Sequence, residues 1–128
     1  MGQLRYGQKQ AGFEKALLEL PNIRQKFWDY VYIPGTIKEI NQSLERAGRV
    51  ADFLEFAEIM IRDALAREES CGCHLREESQ TEENEAKRDD ANYSHVSVWE
   101  FLGQDKQPEM HKEPLTFEFV TPSQRSYK

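Results

Sequence analysis

The sequence predicts a mainly α fold, a bundle of about three helices followed by a small C-terminal antiparallel strand pair. Three observations carry that expectation. Apolar residues recur every three or four positions between Phe13 and Leu65, the period that lines one face of a helix. Tyr32-Ile-Pro-Gly35 interrupts the stripe, because the residue before proline is pushed toward extended geometry and glycine permits the turn. Beyond Tyr93 the apolar residues alternate with polar ones, which is the pattern of a strand with one covered face.

The first helical stripe is Phe13, Ala16, Leu17, Leu20, Ile23, Phe27 and Val31. Pro21 lies inside it, and proline removes a backbone donor and clashes with the preceding turn. The stripe therefore belongs either to one kinked helix or to two helices, the second restarting in register with Pro21 in its first turn. Thr36-Ile-Lys-Glu39 has the spacing of a capping box, so the next helix is expected to start at Thr36. Its seam is Ile37, Ile40, Leu44 and Ala47, and Gly48 either ends it or weakens a continuous helix.

Val50, Phe53, Leu54, Ala57, Ile61, Ala64 and Leu65 form the strongest helical signal, widened by Phe56, Ile59 and Met60. A helix apolar over so much of its circumference is usually covered by more than one neighbour, which makes it the expected central packing element. Either the domain wraps it fully or a partner covers the remainder. The stretch from Ser79 to Asp90 is polar and aperiodic, and reads as a solvated loop. Two strands follow, one around Val96, Val98, Trp99 and Phe101, the other alternating through Leu115, Phe117 and Phe119, with a wide loop from Gly103 to Pro114. Two strands alone are marginal in water, so the pair is expected to pack on the helices. The organisation is thus residues 1–78 as helical bundle, 79–92 as charged loop and 93–128 as strand pair and tail, one compact domain in all.

The 128 residues suit a single domain with a modest core. Charged residues make up 31% and the net charge is −6, which argues for a soluble chain and against a nucleic-acid surface, where Lys and Arg would cluster. No apolar run approaches the roughly 20 residues of a spanning helix, and the first residues have no apolar signal-peptide core. Cys71 and Cys73, one residue apart, are poorly placed for a long-loop structural disulfide and imply a reducing, intracellular setting.

Chemistry is crowded in Arg67-Glu-Glu-Ser-Cys-Gly-Cys-His-Leu-Arg-Glu77, the hinge between helical and strand signals. Cys71, Cys73 and His74 are zinc-type ligands, but structural zinc usually takes four ligands in two halves, and no second half is present. The expectation is two small residues and a packed or hydrogen-bonded histidine, with no metal. Adjacent cysteine and histidine rarely present both side chains to one reacting atom, so a catalytic pair is not expected. No glycine-rich phosphate loop occurs in the sequence. The residues by themselves describe a helical interaction domain with a polar corner.

That corner has a family likeness. Arg67-Glu-Glu-Ser-Cys-Gly-Cys-His-Leu-Arg-Glu77, followed by Arg88-Asp-Asp-Ala-Asn-Tyr93, resembles the C-terminal region of succinate dehydrogenase and fumarate reductase flavoprotein subunits. That region carries R-x-E-S-R-G-A-H-x-R-x-D and then R-D-D-x-N-aromatic. The upstream helix ending at Arg67 and the ending near Lys128 also resemble it, so the likeness covers essentially the whole chain. L-aspartate oxidases share the first motif and are the nearest competitor. Trp99-Glu-Phe and the stretch from His111 to Lys128 look more like the dehydrogenase and reductase branch. A free-standing helical interaction domain is the alternative of a different class.

The resemblance implies an oxidoreductase that interconverts succinate and fumarate through FAD and passes electrons to an iron-sulfur subunit. Its setting would be cytoplasmic, at the inner face of the membrane, with membrane contact only through other subunits. The family's dinucleotide fingerprint and its substrate-binding and proton-transferring residues have no counterpart in these 128 residues. The chain therefore resembles a fragment, with an artificial start at Met1-Gly2 as the expectation and with no catalytic, cofactor-binding or metal residue of its own. What carries over is Glu69, Ser70, Gly72, His74 and Arg76, then Arg88, Asp89, Asp90 and Asn92, as a contact with the flavin-binding domain of the same subunit. Cys71 departs from the pattern, since an arginine there would bring a fixed charge and five donors. His95 falls near, but out of register with, a histidine often seen after the second motif.

Overall fold

The computed structural model describes residues 8–36, 38–103 and 106–123. Ile37, Met1-Gly2 and the end of the tail from residue 124 lie outside them. The fold is mainly helical with a two-stranded antiparallel sheet near the C-terminus. Two compact units are present, Ala11–Leu65 and, separately, Met1–Gln10 with Ala66–Lys128. Among the described residues no helix is long and apolar enough to cross a membrane.

The Ala11–Leu65 unit is made of two long helices. Helix α1, Gln10–Tyr30, passes through Pro21 without a break. One helix, and not two, is therefore the answer to the ambiguity at Pro21, because the apolar stripe keeps its register on both sides of the lost hydrogen bond. Leu20 is the centre of that stripe and is 6% exposed, with Phe13, Ala16, Leu17 and Phe27 half-buried beside it. Arg24 sits on the same face, four residues beyond Leu20. Its guanidinium reaches Glu58 Oε2 at 2.8 Å and Glu55 Oε1 at 2.7 Å on the second helix, while Arg62 holds the other oxygen of Glu58 at 2.8 Å. Four charged side chains thus fix where the helices meet.

Helix α2, Gln42–Ala66, begins later than the capping-box spacing suggests. Thr36 lies outside it, and Asn41 is the cap: its Oδ1 accepts from the backbone N–H groups of Ser43 at 3.0 Å and Leu44 at 3.1 Å. Those are two of the donors that the first turn of any helix leaves without an intrahelical partner. The Asn41 amide also donates to the carbonyl of Pro34 at 2.9 Å, so one side chain ties the connection to the helix start. Gly35 has φ +110°, and a Cβ there would come within 2.7 Å of the Asn41 amide nitrogen, so glycine is required at this turn. Gly48 interrupts nothing.

The burial expected for α2 is not found. None of its residues is buried, and Phe53, Phe56 and Met60 are more than half exposed. The reason is geometric: one neighbouring helix covers one stripe, and these three residues widen the apolar face beyond it.

The second unit contains α3, Asp90–Tyr93, and the strands β1, His95–Glu100, and β2, Glu109–Pro114. Their antiparallel register runs from His95 opposite Pro114 to Glu100 opposite Glu109. The second strand is thus not the Leu115 to Phe119 alternation but the segment before it, which by its sequence reads as loop. Continuing the register past His95 and Pro114 would bring Thr116 to Phe119 against the residues of α3, whose backbone is committed to a helical turn. Only Leu115 adds one more bond, its N–H donating to the Ser94 carbonyl at 3.0 Å. Alternation marks a segment able to form a strand, but pairing needs an extended partner.

The polar stretch before α3 is also more ordered than a solvated loop. Gln80 and Ala86 bridge, Thr81 N–H donates to the Glu85 carbonyl at 2.9 Å, and Asn84 takes φ 62° at the bend, a conformation asparagine tolerates.

Candidate functional site

The corner from Arg67 to Tyr93 holds the buried polar side chains of the described residues: Glu69 at 3%, Ser70 at 0% and Arg76 at 2% exposed. It is built around Arg67, where the chain leaves α2. The Arg67 guanidinium donates to Glu69 Oε1 at 2.6 Å, to the Tyr93 carbonyl at 3.2 Å and to the His95 carbonyl at 3.1 Å. It also lies 5.5 Å from the centre of the Tyr93 ring, within cation–π range. The second Glu69 oxygen accepts from the Asp89 N–H at 2.7 Å. A buried carboxylate is tolerable only when paired and hydrogen-bonded, and Glu69 is both.

Ser70 and Arg76 close the corner from the other side. Ser70 N–H donates to the Lys87 carbonyl at 2.9 Å, and Ser70 Oγ accepts from Arg76 N–H at 2.9 Å. Between them the chain reverses through Cys71-Gly-Cys-His74, where Cys71 and His74 exchange backbone hydrogen bonds of 2.9 and 3.1 Å. Gly72 supplies φ 60° at the first central position of this two-residue turn, which an L side chain there rarely adopts. His74 Nε2 donates to the Arg67 carbonyl at 2.9 Å, which also receives Arg76 Nη1 at 3.3 Å. After the reversal Arg76 pairs with Gln8 in a parallel bridge, and Glu78 accepts from the Gln10 N–H at 2.9 Å. That backbone donor holds the Glu78 carboxyl below the usual glutamate range.

The second motif supplies the far wall. Asp89 caps α3, its carboxylate accepting from the Asn92 N–H at 3.3 Å and from the Asn92 amide at 2.8 Å. Arg88 bonds Asp90 Oδ1 through Nε at 3.0 Å and donates to the Ser123 carbonyl at 3.0 Å. The Asp90 carboxylate raises the Arg88 pKa further above its ordinary value.

Of the residues singled out in the sequence, Glu69, Ser70, His74, Arg76 and Asp89 converge on one hydrogen-bonded cluster, and Asn92 joins through Asp89. Gly72 stands at an exposed turn, while Arg88 and Asp90 form a pair at the edge. Arg67 is the residue that the site assignment missed, although it opens the same motif and bonds to both ends of it. The signal was present: an arginine two residues before a glutamate at the end of a helix can reach back across the turn.

An open depression of about 420 Å³ lies beside the cluster, lined by Ala66, Glu68, Asp89, Asn92, Tyr93 and Lys112. A flavin dinucleotide needs a concentration of backbone N–H groups or cations for its pyrophosphate. This depression sets the two carboxylates of Glu68 and Asp89 against the single cation of Lys112, so its residues do not fit FAD. Among the described residues no three His, Cys, Asp or Glu side chains are grouped to hold a metal ion.

The sequence model of the family described as fumarate reductase flavoprotein C-term matches residues 4–127. No individual curated protein gives a significant match.

Proposed function

Because the chain belongs to the family of fumarate reductase flavoprotein C-terminal domains, we propose that it docks against the flavin-binding domain of a succinate dehydrogenase or fumarate reductase flavoprotein subunit. In this reading FAD and the succinate–fumarate chemistry belong to the flavin-binding domain, and electrons leave through an iron-sulfur subunit. This stretch supplies position and no catalytic group. The observation that carries the proposal is the family match over nearly the whole chain, which includes both motifs of the corner.

The geometry supports a placing role. Glu69, Ser70 and Arg76 spend their hydrogen bonds inside their own unit, so they stiffen the corner. The groups left facing outward are the Gly72 turn, Asp90 and Asn92, which are exposed and form the part of the motif able to meet a partner. A contact surface held by a satisfied buried network loses little entropy on docking, which favours affinity.

The test is His74→Ala in a flavoprotein subunit that joins this chain to its flavin-binding domain. Losing the bond to the Arg67 carbonyl should cost about 1 kcal/mol and lower thermal stability or flavin retention. Succinate turnover per bound flavin should stay within roughly tenfold of the parent, because a general acid or base contributes about 10²–10⁴-fold. A thousandfold fall at unchanged stability, or a chain that does not associate with the flavin-binding domain, would overturn the proposal.

A further inference from the structure

Cys71 and Cys73 carry free, exposed thiols on either side of Gly72. They are at the first and third positions of a turn whose ends are pinned by the paired Cys71–His74 backbone bonds and, one residue earlier, by Ser70 to Lys87. Two peptide links of about 3.8 Å each, bent at the middle, set the two Cα atoms on the order of 5–6 Å apart, inside the roughly 4.4–6.8 Å window of disulfides. The thiolate is the nucleophile in exchange, and both thiols are exposed.

We propose that Cys71-Gly72-Cys73 is a thiol–disulfide exchange site whose substrate is a low-molecular-weight disulfide, with one cysteine attacking and the other resolving. The thiolate of the first cysteine attacks one sulfur of the small disulfide, whose S–S bond breaks and releases one small thiolate. That cysteine is then a mixed disulfide. The thiolate of the second cysteine attacks the sulfur of the first, forms the protein S–S bond and expels the second small thiolate. Two electrons and two protons pass from the protein thiols to the small disulfide, which leaves as two thiols. A ring closed over a single intervening residue is more strained than one closed over a long loop. Strained, exposed disulfides belong to the labile, exchange-active class, so the couple is readily reversed by thiols.

The exchange needs no flavin and no partner domain, but the Gly72 turn belongs to the surface proposed to dock, so the exchange is a property of the undocked chain. Its test is incubation of the chain with oxidised glutathione, followed by intact mass and thiol titration. The wild-type chain should end two hydrogens lighter, monomeric and without titratable thiols, and excess dithiol reductant should restore both. Cys73→Ser and Cys71→Ser should each stop as a single glutathione adduct on the remaining cysteine. Both side chains are exposed, so neither serine disturbs packing. Two glutathione adducts on the wild-type chain, a disulfide-linked dimer, or no reaction would each overturn the proposal.

Discussion

Helices α1 and α2 bury a single hydrophobic side chain, Leu20, whereas the far shorter corner from Arg67 to Arg76 buries a glutamate, a serine and an arginine. The helices are the strongest periodic signal in the chain and yet leave Phe53, Phe56 and Met60 more than half exposed. The corner has almost no periodicity and is the most thoroughly covered part of the described structure. The difference separates two kinds of specification. An apolar stripe declares a local conformation and needs a neighbour to be covered. A motif of charged and small residues declares particular partners, and here it finds them close by in its own unit.

The largest effect expected from this contrast is at Glu69. Glu69→Ala leaves the Arg67 guanidinium and the Asp89 N–H without their carboxylate, and breaking one partner of a buried ion pair costs about 3–5 kcal/mol. Urea denaturation followed by Trp99 fluorescence in a Trp28→Phe background measures it in the right unit, since Trp99 lies on β1 and Trp28 on α1. A loss below about 1 kcal/mol would break the comparison, because it would mean that the corner repacks as easily as a surface.

A smaller effect tests the helical side. Asn41→Ala removes the acceptor for two first-turn donors and should cost about 1 kcal/mol, read as a lower midpoint in the helical circular-dichroism melt. Thr36→Ala, at the spacing that resembles a cap but lies outside the helix, should stay within about 0.5 kcal/mol. Equal losses for the two variants would return the helix start to Thr36.

The smallest effect is the pH dependence of the ion network that joins the helices. Hydrogen bonding by Arg24, aided by Arg62, holds the Glu58 carboxyl below its ordinary value. A depressed folded-state pKa contributes stability that is present above the unfolded value, about 4.3, and is lost as pH falls through the folded one. Acidification from pH 6 to below about 4 should therefore weaken the helix pair, and Glu58→Gln should flatten this contribution. Melts of both proteins across that range measure it; parallel pH curves would assign the acid response to other carboxylates.

Much of this was legible in the sequence, in a way that follows the same divide. The period of Phe13, Leu17, Leu20 and Phe27 identified α1, and the alternation after Tyr93 announced a strand pair. Both the helix start and the second strand were misplaced for a shared reason: each was read from a local pattern whose outcome a residue elsewhere decides. Asn41 outcompetes Thr36 because it also bonds Pro34, and the Leu115 to Phe119 alternation has only a helical turn beside it. At the corner the motif named residues that the structure brings into one hydrogen-bonded cluster. It could not say that Glu69 and Arg76 face inward, because a charged residue reads the same in sequence whether its partner is water, a neighbour or another domain.

The parallel bridge between Gln8 and Arg76 has a kinetic consequence. It joins parts of the chain far apart in sequence, as does the bond from Gln10 to Glu78, whose residues are 68 positions apart. Closing so long a loop costs chain entropy before any contact rewards it, and contacts of high sequence separation form slowly. Most of the intervening chain lies in helices of 21 and 25 residues, which can form from local contacts alone. Once helical, each residue advances the chain by about 1.5 Å instead of more than 3 Å, so the wandering loop becomes a few stiff segments. The first strand partner of the corner is therefore delivered by the helices, and changes that slow helix formation, such as glycine at exposed α2 positions, should delay closure of the bridge while leaving the hairpin of β1 and β2 to form on its own schedule.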